Sequence, residues 1–392
     1  MLKLIQAYGT LISVNYQKRN FMRETGVYQV LGDARYFIPA PLPPGKPPFE
    51  LSPEILAAHS KASFALGQLN EISKRVPDQQ RFIKAYVIKE ALLSSAIEGI
   101  HTTLLDVFTA RLGEHKINKD TQLVLNYTKA LDAALGMMQQ GLPIANRIIL
   151  KAHEELLSEG EGDRAMPGAF RKQSVRVGNL IPAPAQRIPD LMTDLERYIN
   201  EPSQETPLIK AGLVHVQFET IHPFLDGNGR IGRLLIVLML IEHNLLLSPI
   251  LYPSLYFKRH SLEYYQKLDR VRTHGDFEGW ILYYLQAIHE SALDAYKRAQ
   301  ELEALEHRLK ALIEHDDSFS RMRDTAYDAL EFLYAHPVTT ISFMSQNLGK
   351  AYNTIQNILQ EFMNHGIVSE MILNKRNKQY HFQLYLSVLE KE

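Results

Sequence analysis

Residues 221–233 read IHPFLDGNGRIGR. One short segment holds His222, Asp226, three glycines, Asn228 and two arginines, and the apolar run LLIVLML follows it directly. The preceding stretch KAGLVHVQFETI reads as a buried helix, and Pro223 disfavours helical geometry at His222, so that helix is expected to stop there. A new helix is expected to begin near Gly229 or Arg230. Between the two, Asp226 to Gly229 form a tight loop in which Gly227 and Gly229 can take positive φ and turn successive N–H groups toward one spot. The helix N-terminus below adds partial positive charge. Arg230 and Arg233, three residues apart, lie on one side of its first turn. Together these groups describe a seat for a polyphosphate.

Asp226 supplies what an anion seat lacks. A carboxylate beside phosphates is a typical Mg²⁺ ligand, with water and phosphate oxygens filling the remaining positions. His222 is the group that titrates near neutral pH. It stands at the edge of the seat, placed to take a proton from a hydroxyl that attacks phosphorus.

The chain has 392 residues, too many for one ordinary core, so two or three domains are expected. A hydrophobic content of 45% with 22% charged residues is that of a globular protein, and the formal net charge of -1 provides no global field toward nucleic acid or an anionic membrane. The chain has no cysteine, which excludes disulfides, thiolate metal sites and cysteine nucleophiles and suits a reducing, cytoplasmic setting. No secretory signal pattern is visible. The run Leu234 to Ile241 is too short to span a bilayer, so no membrane partner is expected.

Residues 38–50, IPAPLPPGKPPFE, are proline-dense and read as an extended arm. From Ser52 the pattern is helical: SPEILAAHSKASFALGQLNEIS has a Ser cap followed by Pro, and RFIKAYVIKEALLSSAIEG should stop at Gly99. The clear β signal in the middle is KQSVRVGNLIPAP, two short runs around a Gly178-Asn179 turn. SALDAYKRAQELEALEHRLKALIEH reads as a bridging helix. Residues 319–392 then give three helices and two strands, IVSEMILN and QYHFQLYL, around a basic turn at Lys375, Arg376 and Lys378, which is a winged-helix pattern. The expected division is an N-terminal arm and helices (1–79), a catalytic core (80–295), a bridging helix (296–318) and a winged-helix domain (319–392).

HPFLDGNGR with a further Arg three residues on resembles, position by position, the HPFxDGNGRxxR signature of the Fic family. The resemblance implies a mainly α fold with a helical core and a small β-hairpin flap. It implies His222 as general base, Phe224 as core anchor of the loop and Asp226 as Mg²⁺ ligand. Gly227, Asn228, Gly229, Ile231 and Gly232 would form the phosphate-binding loop, with Arg230 and Arg233 as phosphate clamps. Upstream, His215 and Gln217 resemble the helix that precedes the family loop, with Gln217 at the nucleotide. Val177, Gly178, Asn179 and Leu180 would be the flap that pairs with the target's main chain. The reaction implied is AMP transfer from ATP to a Ser, Thr or Tyr hydroxyl. Gly229 separates the loop from the Doc-type branch, which phosphorylates and usually carries Lys there.

A second motif lies upstream. SSAIEGI places Ser94 and Glu98 four apart on one helix face, with Gly99 at the helix end. It resembles the family's inhibitory pattern (S/T)xxxE(G/N), on a helix of about residues 80–99, and implies intramolecular restraint by Glu98 on the nucleotide site. The leading expectation is therefore a self-restrained protein adenylyltransferase that uses ATP and Mg²⁺, modifies a target protein and itself, and forms a homodimer. Removal of AMP by the same site is one alternative. A nucleotide-sensing transcription regulator, binding DNA through the winged helix, is the other.

Overall fold

A computed structural model describes residues 23–75, 79–112, 117–159, 165–374 and 377–391. The expected wing residues Lys375 and Arg376 lie outside the described residues, as does the start of the N-terminal arm. The described chain opens with an antiparallel hairpin, β1 (Gly26–Leu31) and β2 (Ala34–Pro39), paired from Gly26↔Pro39 to Leu31↔Ala34. The expected extended arm, residues 38–50, begins where this hairpin ends. The prolines that follow keep residues 40–52 free of helix.

Helix α1 (Pro53–Arg75) starts as its sequence requires: the Ser52 hydroxyl accepts from the Ile55 N–H at 3.3 Å and Pro53 is the first helical residue. Then come α2 (Gln79–Ile97), α3 (Leu104–Ala110), α4 (Lys119–Gln139) and α5 (Asn146–Leu156). After an irregular stretch follow α6 (Ile188–Asn200), α7 (Pro207–Ile221), α8 (Asn228–Glu242), α9 (Ser254–Arg259) and α10 (Ser261–His274). Helices α7 and α8 pack on each other at the centre of the core, and both are buried almost all round. The segment that joins them is the quoted motif.

Helix α11 (Phe277–His315) runs unbroken for 39 residues and packs along α1. The expected division between core and bridging helix at residue 295 is not a break: Ala292, Ala295, Ala299, Leu302, Leu305 and Leu309 carry one buried stripe through it. No Gly or Pro lies between Trp280 and His315 to interrupt the helix.

The tail contains α12 (Arg323–Ala335), β3 (Val338–Thr339), α13 (Ile341–Leu348), α14 (Tyr352–Asn364), β4 (Ser369–Asn374), β5 (Asn377–His381) and α15 (Gln383–Glu390), with sheet order β3-β5-β4. The run QYHFQLYL, expected as one strand, divides after His381, where the Phe382 N–H turns to the Pro337 carbonyl at 2.7 Å and α15 begins. Helix α15 packs on α11, where Arg298 Nη1 donates to the Val388 carbonyl at 2.8 Å. Lys89 Nζ on α2 donates to the Leu389 carbonyl at 2.8 Å. Tyr385, Leu386, Val388 and Leu389 are buried there, at roughly 1.5–3 kcal/mol per apolar side chain. The tail is therefore bound to the core through α15.

Candidate active site

Helix α7 ends at Ile221, and His222 takes the left-handed conformation, φ 51 and ψ 64. Proline at the next position bars the right-handed helix, and the chain reverses there. A non-glycine residue in this region costs on the order of 1–2 kcal/mol, so other contacts must hold it. Arg171 does so. Its guanidinium is buried, and it donates to the carbonyls of His222 at 2.8 Å, Ala183 at 2.7 Å, Gln173 at 3.1 Å and Ile221 at 3.5 Å. Its own N–H donates to the Pro223 carbonyl at 2.9 Å.

The loop is closed from inside. Phe224 is fully buried and stacks on His153, ring centroids 3.7 Å apart. The Gly168 N–H donates to His153 Nδ1 at 3.1 Å, so that nitrogen carries no proton, and Nε2 donates to the Asp226 carbonyl at 3.0 Å. Burial holds the His153 pKa down at about 4, so it stays neutral. The Asn228 side chain binds both backbone groups of Phe224, accepting at 2.9 Å and donating at 3.0 Å. It staples the loop from within, so its side chain shapes the seat. Ile231 is likewise a core residue, and Gly232 packs against Phe218 and Glu219. Gln217 donates to the Ala40 carbonyl at 2.9 Å and so ties the proline arm to α7. His215 lies fully buried between the Gly232 carbonyl and the Tyr264 hydroxyl.

Helix α8 starts at Asn228, one residue earlier than expected. Its N-cap Gly227 has φ 81 and offers no side-chain cap. The first N–H groups therefore have no intrahelical acceptor. Gly229 is not among the positive-φ residues, which corrects that expectation. Its missing side chain serves another purpose: a Cβ there would overlap Glu98 Oε1 and lie 2.9 Å from Arg233 Nη1. Arg230 is buried, and its Nη2 reaches Asp226 Oδ1 at 3.3 Å, while its Nε and Nη1 are buried without a partner. Unpaired guanidinium donors at a bare helix N-terminus are what an anion would satisfy.

Asp226 is half exposed, with Oδ1 engaged by Arg230 and the Gly227 N–H, and Oδ2 has no hydrogen bond among the described residues. No group of three His, Cys, Asp or Glu side chains that could hold a metal occurs among the described residues. An ion here would have this single carboxylate, a donor set that fits Mg²⁺ completed by phosphate and water. His222 Nδ1 is buried and unpartnered. Burial pushes the His222 pKa down to about 4, with the Glu219 carbonyl, Glu98 and Asp226 pulling the other way.

The upstream motif meets the loop here. Helix α2 ends at Ile97, and Gly99, φ 78, turns the chain. Arg233 donates from Nε to Ser94 Oγ at 2.8 Å and from Nη2 to the Ser94 carbonyl at 2.8 Å and Glu98 Oε1 at 2.7 Å. Arg233 is 1% exposed at its side chain and Glu98 33%. Burial works against the Arg233 charge, and Glu98, Tyr264 and Glu219 more than restore it. Two further acids line this region, both missed in the sequence. Burial pushes Glu219 up to about 8 and Glu90 up to about 7, each partly offset by Arg233.

The expected flap is a tight turn. Val177 and Leu180 exchange two backbone hydrogen bonds of 2.9 Å, and of the two central residues only Gly178 has positive φ, 57. That is the pattern of a type II′ turn. The expected pair of strands is reduced to this one bridge. Support comes instead from β2, whose Phe37 N–H donates to the Ile181 carbonyl at 2.9 Å.

Residues 56–136 match the family described as Fic/DOC family N-terminal, and residues 143–240 match the Fic/DOC family. The chain carries Fic/DOC family domains. A protein adenylyltransferase Fic from Drosophila sechellia is 29% identical over 211 residues, 52% of this chain and 40% of that protein. A protein adenylyltransferase fic-1 from Caenorhabditis elegans is 27% identical over 199 residues, 47% of this chain and 37% of that protein. The chain thus spans less than half the length of these curated relatives. The crystal structure of a Fic family protein from Desulfovibrio desulfuricans G20 superposes with a TM-score of 0.56 at 22% identity, covering 85% of this chain and 97% of that one. That likeness shows a mainly helical Fic-type fold. Among the described residues no helix is long and apolar enough to cross a membrane.

Proposed function

We propose that this chain is a protein adenylyltransferase that moves AMP from ATP to a hydroxyl of a target protein and is restrained by Glu98. The observation that carries the reading is the loop 222–233. It places an imidazole with a buried, unpartnered Nδ1 beside a bare helix N-terminus whose buried Arg230 lacks partners for two donors. In the step proposed, the target hydroxyl oxygen bonds to the α-phosphorus while the bond from that phosphorus to the bridging oxygen breaks. His222 takes the hydroxyl proton and pyrophosphate leaves. Arg230 and the α8 amides hold the phosphates, and a relieved Arg233 would hold the terminal one. Asp226 would hold Mg²⁺, which when bound neutralises phosphate charge. A triphosphate beside His222 favours the protonated ring, so its pKa of about 4 should rise toward neutrality with ATP bound.

The reading is supported by curated relatives named protein adenylyltransferase. For the tail, the order of α12, β3, α13, α14 and the β4–β5 hairpin supports a winged helix. A contact role is favoured over DNA binding, because α14 carries no Lys or Arg and Lys378 is paired with Glu370 at 3.0 Å.

The test is α-labelled ATP with wild type, Glu98→Gly and His222→Ala, each with cell lysate. Label on protein from the first two and not the third supports transfer. His222→Ala should lose on the order of 10²–10⁴-fold while still binding ATP. Near-normal transfer by His222→Ala removes His222 from the mechanism. Release of AMP from pre-modified protein without any transfer would reverse the direction of the reaction.

A further inference from the structure

Beside the flap runs a groove of about 430 Å³ whose lining includes Tyr28, Asp33, Arg35, Arg176, Leu180 and Arg272. One wall is the N-terminal hairpin and the other is the flap itself. The two walls are fastened to each other by the Phe37 N–H to Ile181 carbonyl bond and by a 2.9 Å hydrogen bond shared between Tyr36 OH and Ser174 Oγ. The hairpin was absent from the sequence reading, so the groove was too.

Its charge is uneven. Arg272 is paired with Asp269 and donates to the Tyr28 hydroxyl at 3.1 Å. Arg35 stacks over the Tyr28 ring, 4.7 Å from its centroid, and has no ion pair among the described residues. Arg176 is exposed, one residue before the flap turn, and has neither ion pair nor hydrogen bond among the described residues. Asp33, on the hairpin turn, is the single acid of the lining. The flap segment continues the bias: residues 172–187, KQSVRVGNLIPAPAQR, carry Lys172, Arg176 and Arg187 and no acid. In a chain of net charge -1 this is a local feature, not a consequence of composition.

We propose that this groove receives an acidic stretch of the target protein, so that hydroxyls flanked by Asp or Glu are preferred for modification. The substrate preference rests on the adenylyl-transfer reading, whereas the binding itself does not. Two unpaired guanidiniums on opposite walls bracket a peptide that lies along the flap. An extended acidic peptide presents carboxylates to both walls, and Arg35, held flat on Tyr28, keeps its fork free for one of them. A nucleic-acid strand is disfavoured because Tyr28 is the one aromatic ring of the lining and is already covered by Arg35.

The test is fluorescence anisotropy on the full chain at low salt. The probes are labelled decapeptides with one central Tyr flanked by Glu, by Gln or by Lys, and a single-stranded DNA decamer. Exposed charge pairs are individually weak, so two arginines together should give roughly tenfold tighter binding of the Glu peptide than of the Gln peptide. That advantage should vanish in Arg35→Glu with Arg176→Glu, shrink in the milder Arg176→Gln, and fall with added salt. Equal binding of Glu and Gln peptides, or a Glu-peptide affinity unchanged in the double variant, overturns the proposal. Tighter DNA binding that the same double variant abolishes assigns the groove to nucleic acid and overturns it too. In a Glu98→Gly background with labelled ATP, transfer should follow the same peptide order. Transfer that ignores the flanking residues sinks the substrate preference. Preferential binding of the Glu peptide with no transfer to any acceptor leaves the groove standing and removes the adenylyl-transfer reading instead.

Discussion

Replacing Glu98 with glycine removes the carboxylate that holds Arg233 Nη2 at 2.7 Å. A charge-assisted hydrogen bond of this length is worth about 1.5–3 kcal/mol when desolvated. Here one partner is buried, but the Glu98 side chain is 33% exposed. Solvent screening moves the figure toward its low end, about 1–2 kcal/mol. That corresponds to a factor of roughly 5–30 in the population of Arg233 available to a phosphate. Under the proposed restraint, ATP binds with its terminal phosphate displaced while Glu98 stays in place, and a misplacement of about 1 Å costs on the order of 10²-fold in rate. Glu98→Gly should therefore transfer AMP at least tenfold faster than wild type. The assay is label from α-labelled ATP on the protein itself and on added acceptor, at equal ATP occupancy. Adding Arg233→Ala should cancel most of the gain, because the freed arginine is what the first change supplies. Ser94 keeps two bonds to Arg233 in either case, so the guanidinium stays placed when Glu98 is gone. Transfer by Glu98→Gly no faster than wild type, with folding and ATP binding verified, refutes the restraint.

Asp226→Ala should abolish transfer and flatten the Mg²⁺ dependence of ATP affinity, read by titrating Mg²⁺ against a fluorescent ATP analogue. Identical Mg²⁺ curves would make the residue structural. Gly229→Ala puts a Cβ where Glu98 Oε1 now sits, at a helical position that favours alanine, so the flexible Glu98 should yield. Transfer should rise above wild type while staying below Glu98→Gly, and a fall in transfer with normal ATP affinity would contradict that. Glu219→Gln tests the buried acid. The folded pKa of Glu219 is about 8 against an ordinary 4.5, so the folded state keeps a proton that the unfolded state has lost, and stability falls as pH rises from about 4.5 to 8. The glutamine variant should remove that slope and gain on the order of 2–4 kcal/mol at pH 8, measured by urea unfolding at pH 5, 6.5 and 8. The buried His153 and His222, with folded pKa values near 4, slope oppositely and lose stability as pH falls below 6.5. Comparing variant with wild type isolates Glu219.

What could be read in the sequence was local. The helix stop at His222, the Ser52 cap, the Gly99 stop and the Gly178 turn depend on neighbours within a few residues, and each is found. The pairing of Glu98 with Arg233, 135 residues apart, was reachable because both ends carry recognisable motifs. Arg171 and His153 carry none. Arg171 lies in an irregular stretch, and its four carbonyl acceptors come from three separate parts of the chain. His153 lies on an amphipathic helix and looks like any helical histidine. The β1–β2 hairpin escaped although Gly32-Asp33 is a hairpin turn pair, because its exposed residues Val27, Val30 and Leu31 are apolar, which blurs the alternation that marks a strand with one wet face. Residue 295 does not interrupt α11, because the buried stripe continues through it while the charge rises.

The environment of Arg233 explains why a single glutamate could restrain the site. Three carboxyl groups act on this guanidinium, Glu98, Glu219 and Glu90. Burial drives the pKa of Glu219 to about 8 and of Glu90 to about 7, so near neutral pH these two hold their protons much of the time and offer little full counter-charge. Glu98, partly exposed, is the one that meets Arg233 as a direct ion pair. The buried cation is thus compensated chiefly by a group that water can reach and that sits just past the end of a helix, where the backbone can move most cheaply. A terminal phosphate brings the same charge and the same acceptor geometry to Nη2. Glu98 and ATP then compete for one guanidinium, and either occupant leaves the buried charge paired. With Glu98 removed and no ATP bound, the field of Arg233 would favour loss of the proton from Glu219, which lowers the cost of the unpaired state. The two buried acids supply a reserve of charge, and under the proposed restraint that reserve would let Glu98 be released without unfolding the site.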